Sequence, residues 1–489
     1  MKKRELGDFQ TPIVLADLLI NILKTKKLSP KVIIEPTCGA GSILIASHHA
    51  FNPQKSLGIE IQKSYADKLV QSLTVDNISI LNKDFFASLS NIKEFISENE
   101  KVLFVGNPPW ITNSELSSLG SNNLPDKNNF DNIRGIEAIT GKSNFDISEY
   151  IIKLLIDNFS DKQSVFAFLC KISVAKKIMN RLWKNNFQYK SAEIYPIDSK
   201  KYFSAAVDAC LFYFDCSEKK GNSELVIFDS IENPVKKYTS GFYRNVYFED
   251  LSKKSSVEIY GKSQFVWRNG IKHDCSKVME LTVTNKCLKN GYNETVDIES
   301  DLVFPYLKSS DLVKNSFVER KRILVTQKFI NEPIDYIQIK YPKTWTYLQE
   351  HTDDFKKRKS IIYRNKCRYS IFSVGDYTFK PYKVAISGLY KSLNFRLISP
   401  YEEKTVLLDD TCNFISFDSK EKAEFILELL QSKTALQYLN ARISWEAKRP
   451  IKTEVLNSID FEKLAKTEHK DNSYYDLFGA PMVQNLLFA

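Results

Sequence analysis

The chain has 489 residues, is 43% hydrophobic and 26% charged, and carries a formal net charge of +10. That balance suits a soluble globular protein of about two or three domains, and its sign favours a polyanionic partner, although a basic surface can equally be only solvated. No apolar run approaches the ~18 residues of a membrane span, which argues against a membrane partner. Met1-Lys2-Lys3-Arg4 leads into Glu5, Gly7 and Asp8 rather than an apolar leader, so no signal peptide is read. Eight cysteines without Cys-x-x-Cys spacing and five histidines without metal spacing argue for reduced thiols in the cytoplasm and against bound metal.

In chain order, Thr11-Pro12 reads as a helix start, with Thr as cap and Leu15, Leu18, Leu19, Ile22 and Leu23 on one face. Residues 32–35 then form a short buried strand, followed by the small-residue turn Pro36-Thr37-Cys38-Gly39-Ala40-Gly41 and a helical pattern from Ser42. Glycines in such a βα turn let a ligand approach the backbone, which makes Gly39 and Gly41 cofactor-site candidates; a lone Gly-x-Gly is weak evidence. The next strand, 56–60, ends in Glu60, close to the ~20-residue spacing at which a doubly wound fold sets a carboxylate on ribose hydroxyls. Strand 78–81 leads to Asp84-Phe85, an acceptor and a ring suited to the edge and face of an adenine.

Strand 102–105 ends in Asn107-Pro108-Pro109-Trp110, the most specific pattern in the chain. The lone pair of an exocyclic amine is delocalised into its ring, so the nitrogen attacks poorly until acceptors bind its N–H groups. Asn107 Oδ1 and the Pro108 carbonyl suit that task, Pro109 adds rigidity, and Trp110 offers a ring to a base. A strand-terminating turn with a buried Trp is the bland alternative. Residues 112–132, rich in Ser, Asn and Leu, read as a long loop beside this tetrapeptide, either ordered by DNA or a passive insertion. Strands at 165–169, 192–195 and 209–214 complete a seven-stranded, largely parallel sheet with helices on both faces.

The polar segment 215–223 marks a boundary, dividing the chain into domains 1–220 and 221–489. In the second, residues 368–385 interleave aromatic and basic side chains, Lys383 among them, which suits phosphate contacts or an aromatic β core with lysines on its wet face. Lys356-Lys357-Arg358-Lys359 and Arg364, Lys366 and Arg368 can also touch phosphates, though a solvated face accounts for them as well. An amphipathic helix is expected over 420–439, with Phe425, Ile426, Leu429 and Leu430 buried.

Taken together, these motifs resemble those of the γ-class adenine-N6 DNA methyltransferases of restriction-modification systems, over nearly the whole chain. Gly7-Asp8-Phe9-Gln10-Thr11-Pro12 is similar to the family's amino-terminal motif, and Glu35-Pro36-Thr37-Cys38-Gly39-Ala40-Gly41 to its cofactor loop. Gly141-Lys142-Ser143-Asn144-Phe145 resembles a further motif, and the segment 202–207 the one whose Phe, here Phe203, lies on the target base. Leu408-Asp409-Asp410-Thr411-Cys412 and Trp445-Glu446-Ala447-Lys448-Arg449-Pro450 look like parts of the family's target-recognition domain. Trp110 stands where Tyr is commoner, so stacking survives but a phenolic hydroxyl does not.

The resemblance implies a Rossmann-like α/β methyltransferase sheet plus a carboxy-terminal α+β target-recognition domain. It further implies an enzyme that methylates N6 of an adenine flipped out of double-stranded DNA, using S-adenosylmethionine. Thr11, Glu35, Pro36, Cys38, Gly39, Gly41, Glu60, Asp84, Phe85 and Asn107 would hold the cofactor. Asn107 to Trp110 would act on the amine, and Trp110 and Phe203 would sandwich the base. Asn144, Lys383 and Lys448 would contact the substrate, and DNA would lie between the domains. A separately encoded restriction endonuclease is the implied further partner. Rival classes are a methyltransferase for protein glutamine or RNA amino groups, and a DNA-specificity subunit without catalysis. Nuclease activity has only Glu446-Ala447-Lys448 and Pro125-Asp126 in its favour.

Overall fold

The computed structural model describes residues 10–111, 146–284, 287–314 and 321–480. The chain divides into two compact units, Met1–Ser252 and Lys253–Ala489.

The first unit is built on one sheet of ten strands: β1 (Val32–Glu35), β2 (Lys55–Glu60), β3 (Ile78–Asn82), β4 (Val102–Gly106), β5 (Val165–Lys171), β6 (Ser191–Ile197), β7 (Ala209–Asp215), β8 (Glu224–Phe228), β9 (Lys236–Tyr243) and β10 (Val246–Phe248). Their order is β10-β9-β8-β6-β7-β5-β4-β1-β2-β3. From β3 to β5 all pairs are parallel, and β7 is antiparallel to both β5 and β6. The seven strands expected from sequence are all present. Three more extend the sheet, so the polar segment 216–223 is a connection within it, and the unit runs on past residue 220 to Ser252.

β1 and β4 are buried along their whole length because both faces are covered, as the apolar runs 32–34 and 102–105 require. Alternate residues feed two cores: Ile34, Phe104 and Phe166 on one face, Ile33, Leu103 and Val105 on the other. Between β1 and β4 the strand order reverses, since β2 and β3 lie to one side of β1 and β4 to the other. At such a point the loops leaving the strands diverge and open a crevice at their carboxyl ends.

The second unit holds a six-stranded sheet, a four-stranded sheet and short helices, an α+β arrangement. The helix expected over 420–439 is two, Lys420–Gln431 and Lys433–Arg442. Ser432 breaks them by adopting an extended conformation, and its side chain accepts the Ala435 N–H at 3.2 Å, which caps the second helix. Of residues 368–385, only the tail enters the strand Tyr382–Ser387, and Asp376–Phe379 is a helical turn. No helix among the described residues is long and apolar enough to cross a membrane.

Candidate active site

An open cleft with about 1050 Å³ of empty space lies at the carboxyl ends of β1 to β4, lined by Glu35, Glu60, Asp84 and Asn107 among others. Each of the four leaves or follows a different strand, in the spatial order Asn107 (β4), Glu35 (β1), Glu60 (β2) and Asp84 (β3). Adjacent strands are about 4.8 Å apart, so this row is about 14 Å long, the extent of a nucleoside joined to an amino acid.

The turn after β1 is fixed by acceptors from three directions. Glu60 Oε2 takes the Gly39 N–H at 2.8 Å, and its Oε1 takes the Gln62 N–H at 2.8 Å. Gln10 Oε1 accepts from Ala40 N at 2.9 Å, and Glu35 Oε2 accepts from Leu44 N at 2.8 Å in the first turn of the helix Ser42–Phe51. Three of the amides around this turn, those of Gly39, Ala40 and Leu44, are therefore taken by side-chain oxygens. Glu35, Glu60 and Asp84, with Lys83 beside them, make the walls rich in hydrogen-bonding groups, which suits a ligand that carries hydroxyl and ammonium groups.

Burial holds the Glu35 carboxyl well above the usual carboxylate range; the Leu44 N–H opposes this and the Glu60 charge adds to it. Burial likewise pushes the Cys38 thiol up, with Glu35 and Glu60 adding, so Cys38 acts as a small wall residue and not as a nucleophile. Two glycines permit this closeness. Gly39 has φ +51°, and a Cβ there would lie 2.6 Å from Gln10 Oε1. At Gly106, φ is +151° and a Cβ would lie 3.2 Å from Glu35 Cγ.

Thr11, Pro36, Cys38, Gly39, Phe85 and Pro109 also line the cleft. Gly41 does not; with φ +80° it turns the chain into the helix, where a Cβ would meet Leu69 at 2.5 Å. Asp84 lines the cleft while its Oδ1 caps the turn Phe85–Ala87 through the Phe86 N–H at 3.1 Å. Thr11 is not a helix cap, because the helix Ile13–Thr25 has Pro12 at that position. Instead, Thr11 Oγ1 accepts from Asn107 Nδ2 at 3.2 Å, tying the amino-terminal segment to the end of β4.

Trp110 is only 6% exposed and donates its indole N–H to the Leu169 carbonyl at 3.2 Å. Its ring meets that of Phe203 edge to face, with centroids 5.0 Å apart and planes at 77°. A base held between two rings needs them roughly 7 Å apart and parallel, twice a stacking distance of about 3.5 Å. The expected sandwich is thus not preformed: the two rings meet, but they fill each other's space.

Lys383 contradicts its expected phosphate contact. The side chain is fully buried, and its ammonium donates to the Lys380 carbonyl at 2.7 Å and Thr405 Oγ1 at 2.8 Å. The strand that carries it is covered on both faces, so it has no wet side for a lysine. Burial alone lowers this ammonium to about 7. Lys448 is exposed, in the second unit. Asn144, Gly7 to Phe9, Pro125-Asp126 and the loop 112–132 lie outside the described residues.

Gln10 is read from the sequence only as part of a motif, and Ile61, Gln62, Lys83, Phe86, Ile111, Ile147 and Ile151 are not singled out as walls of the cleft. Gln10 sits inside a motif that is visible in the sequence, and Phe86 adjoins Phe85. The isoleucines at 147 and 151, one helical turn apart, carry only a core signal.

A family model described as N-6 DNA Methylase matches residues 1–297. The Type II methyltransferase M.NspV of Nostoc sp. (strain ATCC 29411 / PCC 7524) is 44% identical over 474 residues, covering 95% of this chain and 98% of that relative. Among solved structures, the Type IIL restriction-modification enzyme MmeI in complex with DNA matches with a TM-score of 0.54 at 12% identity. That match covers 91% of this chain and 64% of MmeI, so the chain spans just under two thirds of MmeI's length, and the likeness is one of fold.

Proposed function

Because the chain belongs to the N-6 DNA methylase family, we propose that it is a site-specific DNA methyltransferase of a Type II restriction-modification system, acting on N6 of an adenine turned out of the duplex. The observation that carries this reading is the row Asn107, Glu35, Glu60, Asp84 around one cleft. S-adenosylmethionine, the family's methyl donor, supplies when bound an electrophilic methyl group on a sulfonium. The cleft fits it by its lining chemistry: acidic side chains on its walls suit ammonium and hydroxyl groups, and the Gly39 and Ala40 amides are already taken by Glu60 and Gln10. Glu60 and Asp84 hold the nucleoside end, and Glu35 lies beside Asn107 at the reacting end.

The chain's own part in the chemistry is positional. Asn107 Oδ1 and the Pro108 carbonyl accept the two N–H groups of the target amine and draw its lone pair out of conjugation with the ring. No strong base or covalent intermediate is needed, so most of the acceleration comes from alignment. Trp110 and Phe203 grip the flipped base only after their rings part, which makes ring separation a step of binding. The second unit serves as the target-recognition domain, a separately encoded endonuclease is the cognate partner, and the protein acts in the cytoplasm.

The test is methyl transfer from labelled S-adenosylmethionine to duplex DNA, ribosomal RNA and release-factor-like protein, with the modified base identified by mass spectrometry. N6-methyladenine in duplex DNA alone supports the reading. Label in RNA or protein, or none anywhere, refutes it.

A further inference from the structure

The second unit carries a cleft of about 1100 Å³ of empty space whose walls include six cations, Lys356, Arg358, Lys359, Arg364, Lys366 and Arg368, and no carboxylate. Their roles differ. Lys356 is held by Asp353 at 2.8 Å. Arg358 is the fixed floor: it donates to the carbonyls of Ser370 (2.7 Å), His273 (3.3 Å) and Arg368, and lies 3.7 Å over the Tyr363 ring. Lys359, Arg364 and Arg368 are exposed, and among the described residues none has a carboxylate within ion-pair distance. Like charges gathered this closely repel, and a polyanion relieves the repulsion by replacing several counterions at once.

Beside this cleft stands an apolar tip, Phe329 and Ile330, 52% and 46% exposed. It is a stiff feature. Glu332 accepts from the Lys328 N–H and the Gln327 amide, and Gln327, itself buried, accepts the Ile371 N–H at 3.1 Å. Three hydrogen bonds join the tip's segment to the cleft's: Thr326 to the Tyr369 carbonyl at 2.7 Å, Ile371 to Gln327, and Lys366 to Asn331 at 2.9 Å. Unpaired cations next to a rigid apolar point match a sugar-phosphate backbone together with the apolar deoxyribose surface beside each phosphate.

We infer that this cleft grips the backbone of duplex DNA through Lys359, Arg364 and Arg368, while Phe329 and Ile330 press against the nucleotides so held. The inference rests on the proposed function for its ligand and adds where the second unit holds it. Neither the cleft nor the tip belongs to the methyl-transfer site.

The experiment is fluorescence-anisotropy titration of the full chain with a duplex it methylates, across about 50 to 200 mM salt. Each lost phosphate contact lowers the slope of log affinity against log salt by about 0.9, or about 2.7 for three. The K359A/R364A/R368A variant should therefore lose about 40-fold less affinity than wild type over that salt range. Phe329→Ser should weaken binding by about 4- to 13-fold with the wild-type salt slope, since covering the exposed half of its ring is an apolar gain and not an ionic one. Both variants should keep the wild-type melting temperature and affinity for S-adenosylmethionine. A triple variant with an unchanged slope, Phe329→Ser binding as wild type does, or tighter binding of duplex RNA than of duplex DNA overturns the inference. If instead wild type methylates no duplex at all, it is the functional reading that has failed.

Discussion

Replacing Glu60 by Gln tests how the cofactor loop is held. The carboxylate accepts two backbone N–H groups, from Gly39 and Gln62, each at 2.8 Å. Hydrogen bonds to a charged acceptor contribute roughly 1.5–3 kcal/mol each. Gln keeps one oxygen and so one of these bonds, now to a neutral acceptor, and points its NH₂ at the other N–H. One charge-assisted bond is lost and a donor is left facing a donor, a cost of about 2–3 kcal/mol. The loop must hold this geometry to bind, so the loss should appear as about a 30- to 150-fold weaker dissociation constant for S-adenosylmethionine. Titration calorimetry measures it, with circular dichroism as the check on folding. Affinity within threefold of wild type in a folded variant would refute the claim that Glu60 organises the loop.

Thr11→Val removes the acceptor for Asn107 Nδ2. With a neutral hydrogen bond at about 0.5–1.5 kcal/mol, kcat should fall about 2- to 13-fold, the KM for S-adenosylmethionine should stay near wild type, and Thr11→Ser should restore the rate. A matching loss in Thr11→Ser would show that the methyl group matters and not the hydroxyl. Lys383→Met concerns pH. Burial lowers the folded-state ammonium to about 7 from 10.5, so its stabilising contribution is complete above the unfolded value and is lost as pH falls through about 7. Between about pH 7 and pH 10, wild-type stability measured by urea unfolding should rise relative to the variant by up to about 1.4 kcal/mol per pH unit. Thr405 Oγ1 already donates to the Lys380 carbonyl at 2.9 Å, so Met strands neither partner. Parallel pH profiles would contradict the burial argument.

The strands that bear the site are legible in the sequence because short apolar runs recur between helical patterns, and each run gives way to a polar residue at its carboxyl end, where a doubly wound sheet opens its crevice. Glu35, Glu60, Asp84 and Asn107 are found that way. That the strands after residue 223 extend this same sheet, β8 parallel to β6 and β9 antiparallel to β8, is not legible, since the polar connection before them reads like a domain boundary. Thr11 is misread because Thr-Pro is an equally good cap and an equally good extended tether; only the proximity of Asn107 decides. Lys383 is misread because alternation implies a wet face, and that strand has none. The closed contact of Trp110 with Phe203 depends on ring orientation across distant segments, to which spacing along the chain is blind.

The central claim, that the residue following β4 acts on the amine and not on the cofactor, is tested most directly by Asn107→Ala. The purified variant should bind S-adenosylmethionine within a few fold of wild type in calorimetry, yet transfer no measurable methyl to duplex DNA that wild type modifies. Undiminished transfer by that variant would contradict it.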